Sequence, residues 1–256
     1  MSKILKKPII LLLVVLLMLS SCGRNPAGGE VITEPGDTRI TADEYKIAVF
    51  SEGYPKGFWA RHDRGNGFPF NCSFSRDHVA VDGDVLTLTL NGGESGFVGA
   101  EFRSAKKTSY GFYSVSMKAA SCPGVISSFF IYNGRPWDEI DIEFLGDDTT
   151  KVQFNYYTSG IGGHEYIYDL GFDASEEFHE YAFDWQPDSI TWYVDGVAVY
   201  RAKESIPSNP GFIMMNLWNV SDTHSSWAGK FDPSRIPVMA EYQWIGYQSA
   251  EIAQKI

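Results

Sequence analysis

Residues 137–146, "WDEIDIEFLG", alternate between polar and apolar positions, with Glu139, Asp141 and Glu143 set apart by Ile140 and Ile142 and followed by Phe144. Successive side chains of a β-strand point to opposite faces, so a period of two predicts a strand with one apolar face in a core and three carboxylates on the other. Trp137, two positions before Glu139, adds an indole to the acidic face. The same period recurs in 85–90, 111–119, 151–158, 180–186, 189–202 and 240–248, each rich in β-branched or aromatic residues. Gln186-Pro187-Asp188-Ser189 and Asp195-Gly196 mark turns, the second a two-residue hairpin within 189–202. No segment carries a long amphipathic helical period. Many strands, tight turns and no alternating helices predict an all-β fold, an antiparallel β-sandwich of jelly-roll type in which one curved sheet carries a concave cleft.

The N-terminus has a different pattern. Lys3, Lys6 and Lys7 precede an apolar run from Ile9 to Leu19, which ends in Ser20-Ser21-Cys22. Eleven apolar residues fall short of the roughly 20 that span a bilayer, so the run reads as a secretion signal rather than a transmembrane helix. Leu19-Ser20-Ser21-Cys22 resembles the bacterial lipoprotein box, which implies lipidation at Cys22, export, and a membrane anchor at the cell surface or in the periplasm. Residues 1–21 are thus expected to be a signal peptide. Residues 22–44, rich in Gly, Pro, Thr and acids without apolar period, are expected to be a flexible tether. Residues 45–250 are of a size for one domain with a substantial core.

The formal charge is -11, and removing the three signal lysines takes it to -14, which argues against nucleic acid as a partner. Aromatic residues make up 15 % of the chain, enough for some to stack on sugar faces in a cleft while others fill the core. With Cys22 lipidated, only Cys72 and Cys122 remain to pair, and spacing alone does not say whether they do. The chain has no G-x-S-x-G elbow, P-loop, H-E-x-x-H or paired C-x-x-C, which removes the usual support for serine hydrolase, nucleotide and zinc chemistry. The glycine-rich "SGIGGHE" (159–165) reads as a loop, and His164 and His179 as packing residues.

Three in-register acids beside an indole suggest a groove with carboxylate chemistry. Retaining glycoside hydrolysis needs two carboxyl groups about 5–5.5 Å apart, one to attack the anomeric carbon and one to give and then remove a proton. Backbones four residues apart on a straight strand lie roughly 13 Å apart at about 3.3 Å per residue, a gap that curvature and converging glutamate side chains can close. Asp141, between Glu139 and Glu143, would share a proton with a neighbour and drive their proton affinities apart.

The Glu139-Ile140-Asp141-Ile142-Glu143 run, with "SSFFIY", "TTKVQFNYYT", "GFDASEEFHEYAFDWQP", "WYVDG" and "IMMNLWN", resembles the bacterial lichenases, endo-1,3-1,4-β-glucanases of glycoside hydrolase family 16, over Tyr45 to Gln248. The resemblance implies a concanavalin-like jelly roll and double displacement, with Glu139 as nucleophile, Glu143 as acid/base and Asp141 assisting. It implies β-glucan binding by Asn66, Glu101, Arg103, Phe130, Tyr132, Trp137, Asn155, Tyr157, Asn216 and Trp218. No cofactor is implied for catalysis, and a monomer is expected. Three positions depart from the family. Gly99 stands where a cysteine would pair with Cys72, so that bridge is expected to be absent. Gln243 replaces an aspartate of the structural calcium site, which counts against calcium because carboxylate charge sets much of its affinity. The cleft-bordering "YNGRPW" segment (132–137) is short, so subsite preference is expected to differ. The competing substrates are laminarin and xyloglucan; the laminarin-type E-x-D-x-x-E insertion is missing here. A non-catalytic, glycan-binding surface lipoprotein is the alternative from another class, and it would need no paired nucleophile and acid.

Overall fold

The computed structural model describes residues 29–32, 46–51 and 53–250. The expected signal peptide, Cys22 and most of the expected tether lie outside the described residues. Eighteen strands form among those described. In chain order they are β1 (Glu30–Val31), β2 (Lys46–Val49), β3 (Phe58–Ala60), β4 (Arg64–Gly65), β5 (Cys72–Phe74), β6 (Val79–Asp82), β7 (Val85–Gly93), β8 (Gly96–Thr108) and β9 (Gly111–Lys118). Then follow β10 (Val125–Tyr132), β11 (Glu139–Leu145), β12 (Lys151–Tyr157), β13 (Tyr166–Asp169), β14 (His179–Gln186), β15 (Ser189–Val194), β16 (Val197–Ala202), β17 (Gly211–Asn219) and β18 (Val238–Ser249). The single described α-helix, α1 (Ser225–Ala228), is one turn long.

Most of the strands form two antiparallel layers, while β5 pairs in parallel with the start of β8 and carries β4 on its other side. The front layer runs β3-β8-β17-β10-β11-β12-β13. The back layer runs β6-β7-β18-β9-β14-β15-β16-β1, with β2 beside the second half of β18. The layers join where the end of β7 pairs with the start of β8. This is the predicted jelly roll, and its core follows from the alternation. Ile140, Ile142 and Phe144 of β11 are buried with Val152 and Phe154 of β12 against Trp192 and Tyr181 of the back layer. The Asp195-Gly196 hairpin forms as its residues require, with φ of 48° and 75°.

β10 and β17 carry no alternating pattern, and the reason is that both their faces are covered: all but one residue of each is buried. The expected tether is not free throughout. Glu30 and Val31 pair with Arg201 and Tyr200 on the open edge of β16, and the Glu30 carboxylate lies 3.0 Å from Lys203 Nζ. An exposed sheet edge offers unpaired backbone groups, and the short extended "EVI" run supplies a partner. His164 stacks on Tyr156 and His179 on Phe172, centroids 4.0 and 3.6 Å apart, as packing residues do. Cys72 and Cys122 are free thiols, and burial pushes Cys72 up to about 11.

Candidate active site

β11 lies between β10 and β12, and register lines their outward residues into rows. Glu139 sits between Tyr132 and Tyr157, Asp141 between Phe130 and Asn155, and Glu143 between Ser128 and Gln153. The rows continue across the front layer, from Ser128 to Asn216 and Glu101, and from Phe130 to Met214, Arg103 and Trp59. The trio therefore stands in the middle of a polar and aromatic face whose reverse side is the main core. Two buried back-layer side chains fix this floor from beneath: Trp192 Nε1 donates to the Asp141 carbonyl and the Tyr242 hydroxyl to the Ser128 carbonyl, both at 3.1 Å.

Each carboxyl of the trio has its own surroundings. Trp137 Nε1 donates to Glu139 Oε2 at 2.5 Å, and Glu139 also shares a hydrogen bond with Asp141. Gln153 Nε2 donates to Glu143 Oε2 at 2.8 Å. Burial, the largest cause, raises the proton affinity of all three, and the charges of Glu139 and Glu143 push Asp141 further up. Asp141 is thus held as the protonated member that donates to Glu139. Donors from Trp137 and Asp141 both favour charge on Glu139, whereas Glu143 has the single amide.

Asp138 faces the opposite way from its neighbour Glu139 and is almost fully buried. Burial works to raise it, but donors from the backbone of Ser159, Ser208 and Asn209 and from the Asn209 side chain outweigh that and hold it below the usual carboxylate range. It ties the start of β11 to two loops, and so sets where Trp137 stands.

The residues expected to bind sugar divide into four groups. Tyr132, Asn155, Tyr157 and Asn216 surround the trio in register, and Asn216 Oδ1 accepts from Ser128 at 2.6 Å. Trp137 stacks on Tyr157 at 4.5 Å and remains 41 % exposed. Tyr157 is also backed by Gly162, where a Cβ would come within 2.4 Å of its ring. Glu101 and Arg103 lie farther along the rows; Glu101 is paired with Arg61 at 3.1 Å, and the Arg103 guanidinium lies over Phe212 at 4.0 Å. Phe130 and Trp218 are buried floor rather than open platforms, and Phe70 covers Trp218 by stacking at 3.9 Å. Asn66 stands apart, exposed on the turn after β4.

Four neighbours of the trio escaped the sequence reading. Ser128 and Gln153 share the alternating period of Phe130 and Asn155, which could have identified them. Glu165 precedes β13 and adds a negative charge felt by Asp141 and Glu143. Trp227, on α1, donates to Gln153 Oε1 at 3.0 Å. Neither of the last two has a local signal, since loop placement alone brings them in.

Two departures expected to alter the scaffold can be tested against the geometry. A Cβ built on Gly99 lies 3.2 Å from Cys72 Sγ but 2.3 Å from the Leu217 carbonyl, so Gly99 fills the bridge position by close backbone packing. Gln243 Oε1 accepts from Ser116 Oγ at 2.9 Å. The neutral oxygen at that position is committed to a hydrogen bond, and among the described residues no cluster of three His, Cys, Asp or Glu side chains is placed to hold a metal.

Comparison with known proteins places the geometry in a family. The profile for "Glycosyl hydrolases family 16" matches residues 66–244. A β-glucanase of Paenibacillus polymyxa is 52 % identical over 75 % of this chain and 82 % of its own. A β-glucanase of Acetivibrio thermocellus is 46 % identical over 81 % of this chain; the match spans only 64 % of that longer relative. The crystal structure of a β-1,3-1,4-glucanase (lichenase) from a mouse hindgut metagenome superposes with a TM-score of 0.74 at 47 % identity, covering 76 % of this chain and 94 % of that one. Fold and sequence agree, and the chain belongs to glycosyl hydrolases family 16.

Proposed function

We propose that the chain is a retaining endo-β-glucanase that hydrolyses mixed-linkage β-1,3-1,4-glucan by double displacement. The observation that carries this is the trio itself, two half-buried glutamates with different hydrogen-bond partners and a buried, protonated aspartate between them. Glu139, given hydrogen bonds by Trp137 and Asp141, attacks the anomeric carbon while Glu143 gives its proton to the departing glycosidic oxygen. The C–O bond breaks, a glycosyl ester forms on Glu139, and the shortened chain leaves as an alcohol. Glu143, now ionised, takes a proton from water, whose oxygen attacks the same carbon and releases Glu139, restoring the original configuration. Asp141 keeps its proton and follows the charge on Glu139 through both steps. Burial raises both glutamates, Glu139 no less than Glu143, so the division of roles rests on their different hydrogen-bond partners and not on the order of their proton affinities.

The substrate reading is supported by the uninterrupted E-x-D-x-E spacing and by similarity to a lichenase. The rows from Trp59 to Asn155 give a glucan chain a path across the strands, past Trp137 and Tyr132. Initial rates on three polymers test it. kcat/KM on mixed-linkage glucan is expected to exceed that on laminarin and carboxymethylcellulose by well over tenfold, a difference of more than about 1.4 kcal/mol in transition-state binding. Comparable values on laminarin would reassign the substrate. We also propose that a lipid on Cys22 holds the enzyme on a membrane, which metabolic labelling with an alkyne fatty acid tests: the parent labels, a Cys22→Ser variant does not.

A further inference from the structure

Trp227 and Gln153 form a hydrogen-bonded chain that ends on Glu143. Trp227 Nε1 donates to Gln153 Oε1 at 3.0 Å, and Gln153 Nε2 donates to Glu143 Oε2 at 2.8 Å. We propose that Trp227 and Gln153 are positioning residues for the acid/base, fixing a donor on one oxygen of Glu143 so that the other, Oε1, carries the proton to the glycosidic oxygen. The proposal rests on the reading of Glu143 as acid/base.

The argument begins with the amide. A glutamine side chain can present either its oxygen or its NH₂ to a neighbour, and an unrestrained one would follow the protonation state of Glu143, turning NH₂ toward a carboxylate and C=O toward a carboxylic acid. An indole N–H only donates. Trp227 therefore claims the amide oxygen and leaves NH₂ as the group facing Glu143 in both states. Gln153 is buried, so water has little room to substitute. With Oε2 occupied by a donor, the proton in the acid form belongs on Oε1.

The fixed donor also opposes the electrostatics of the site. Glu139 and Asp141 on the same strand and Glu165 before β13 all bring carboxyl groups near Glu143, and burial adds to their effect. From β10 and β17 it faces the neutral Ser128 and Asn216, and Glu101 farther along is paired with Arg61. No cation in that set offsets the acids directly. The Gln153 amide is the hydrogen bond that favours ionised Glu143, the form that takes a proton from water in the second step.

The scaffold holds the indole in place. Val220 N donates to the Gly124 carbonyl and Gly124 N to the Ala228 carbonyl, pinning both ends of the segment that carries α1. Gly124 has φ of 76° and a Cβ there would lie 2.4 Å from the Phe231 backbone, so only glycine permits that approach. Trp227 packs beside Trp218 and Ala228, and a phenylalanine can keep much of that contact without the N–H.

Two variants and one background test the chain. In Gln153→Met the alkaline limb of the kcat/KM profile on mixed-linkage glucan is expected to move up by about one pH unit, and in Trp227→Phe by about half a unit. On an activated aryl glycoside, where the second step limits, kcat near neutral pH is expected to fall by about tenfold in Gln153→Met, with KM little changed. In Glu143→Ala supplied with azide, adding Trp227→Phe is expected to alter neither rate nor pH profile. Unmoved alkaline limbs in two folded variants, or an effect of Trp227→Phe that persists without Glu143, would overturn the proposal. Failure of azide to restore Glu143→Ala with retention would overturn the acid/base reading, and the relay with it.

Discussion

At the scale of residues, the trio was legible because a strand reports its two faces directly. Glu139, Asp141 and Glu143 alternate with residues that proved to be core, so the acids had to share a surface. What alternation does not report is which neighbour reaches which oxygen. Gln153 lies ten residues after Glu143 and Trp227 another 74 beyond, joined only by register and a loop. The hydrogen bonds make the two glutamates unequal, and that predicts unequal rescue. Glu139→Ala and Glu143→Ala should each lower kcat on polymer by about a thousandfold or more. With an activated aryl glycoside and azide, Glu143→Ala should yield a glycosyl azide of retained configuration and Glu139→Ala an inverted one. NMR of the anomeric proton distinguishes them, and exchanged products would exchange the roles.

At the scale of elements, placement of β11 depends on Asp138 as much as on sheet pairing. Its carboxylate gathers four donors from two loops and fixes the strand entry beside Trp137. Asn133 closes the short preceding segment, with Nδ2 donating to the Pro136 carbonyl at 3.0 Å and N to the Asp138 carbonyl at 2.9 Å. Asp138→Ala should cost about 3 kcal/mol in urea unfolding, since it strands buried donors that now meet a charge, and should raise KM by loosening Trp137. Because Asp138 is held below the usual carboxylate range, its contribution is present above the unfolded value and lost as pH falls through the folded one. The deficit of the variant should therefore shrink in acid. The same scale shows where sequence reading ran out. β11 and β12 border the open face at their ends and keep a visible period, while β10 and β17 are buried on both sides and read as plain apolar runs.

At the scale of the molecule, the active site and the scaffold pull stability in opposite directions. The trio binds protons more tightly folded than unfolded, so its contribution is full below the unfolded carboxylate value and is lost as pH rises through the raised folded values. Asp141→Asn removes a proton-binding group without changing shape. Its melting temperature relative to the parent should be more favourable at pH 8 than at pH 4.5; a constant difference would mean that burial does not raise the trio. Calcium should matter little to the unaltered fold, because Gln243 is neutral and bonded to Ser116. Excess chelator should shift the melting temperature by less than about 2 °C, a ligand stabilising only as its concentration exceeds its dissociation constant. The fold and the acidic strand β11 were legible in the chain, whereas docking of Glu30 and Val31 on β16 was not, because an edge partner is chosen by the sheet and not by the segment. The central claim is double displacement on β-glucan, and the most direct measurement is the anomeric form of the first product. In NMR spectra recorded during early hydrolysis of mixed-linkage glucan, the new reducing ends should appear as the β anomer and only later equilibrate. First appearance of the α anomer would mean a single displacement through water and would contradict the account.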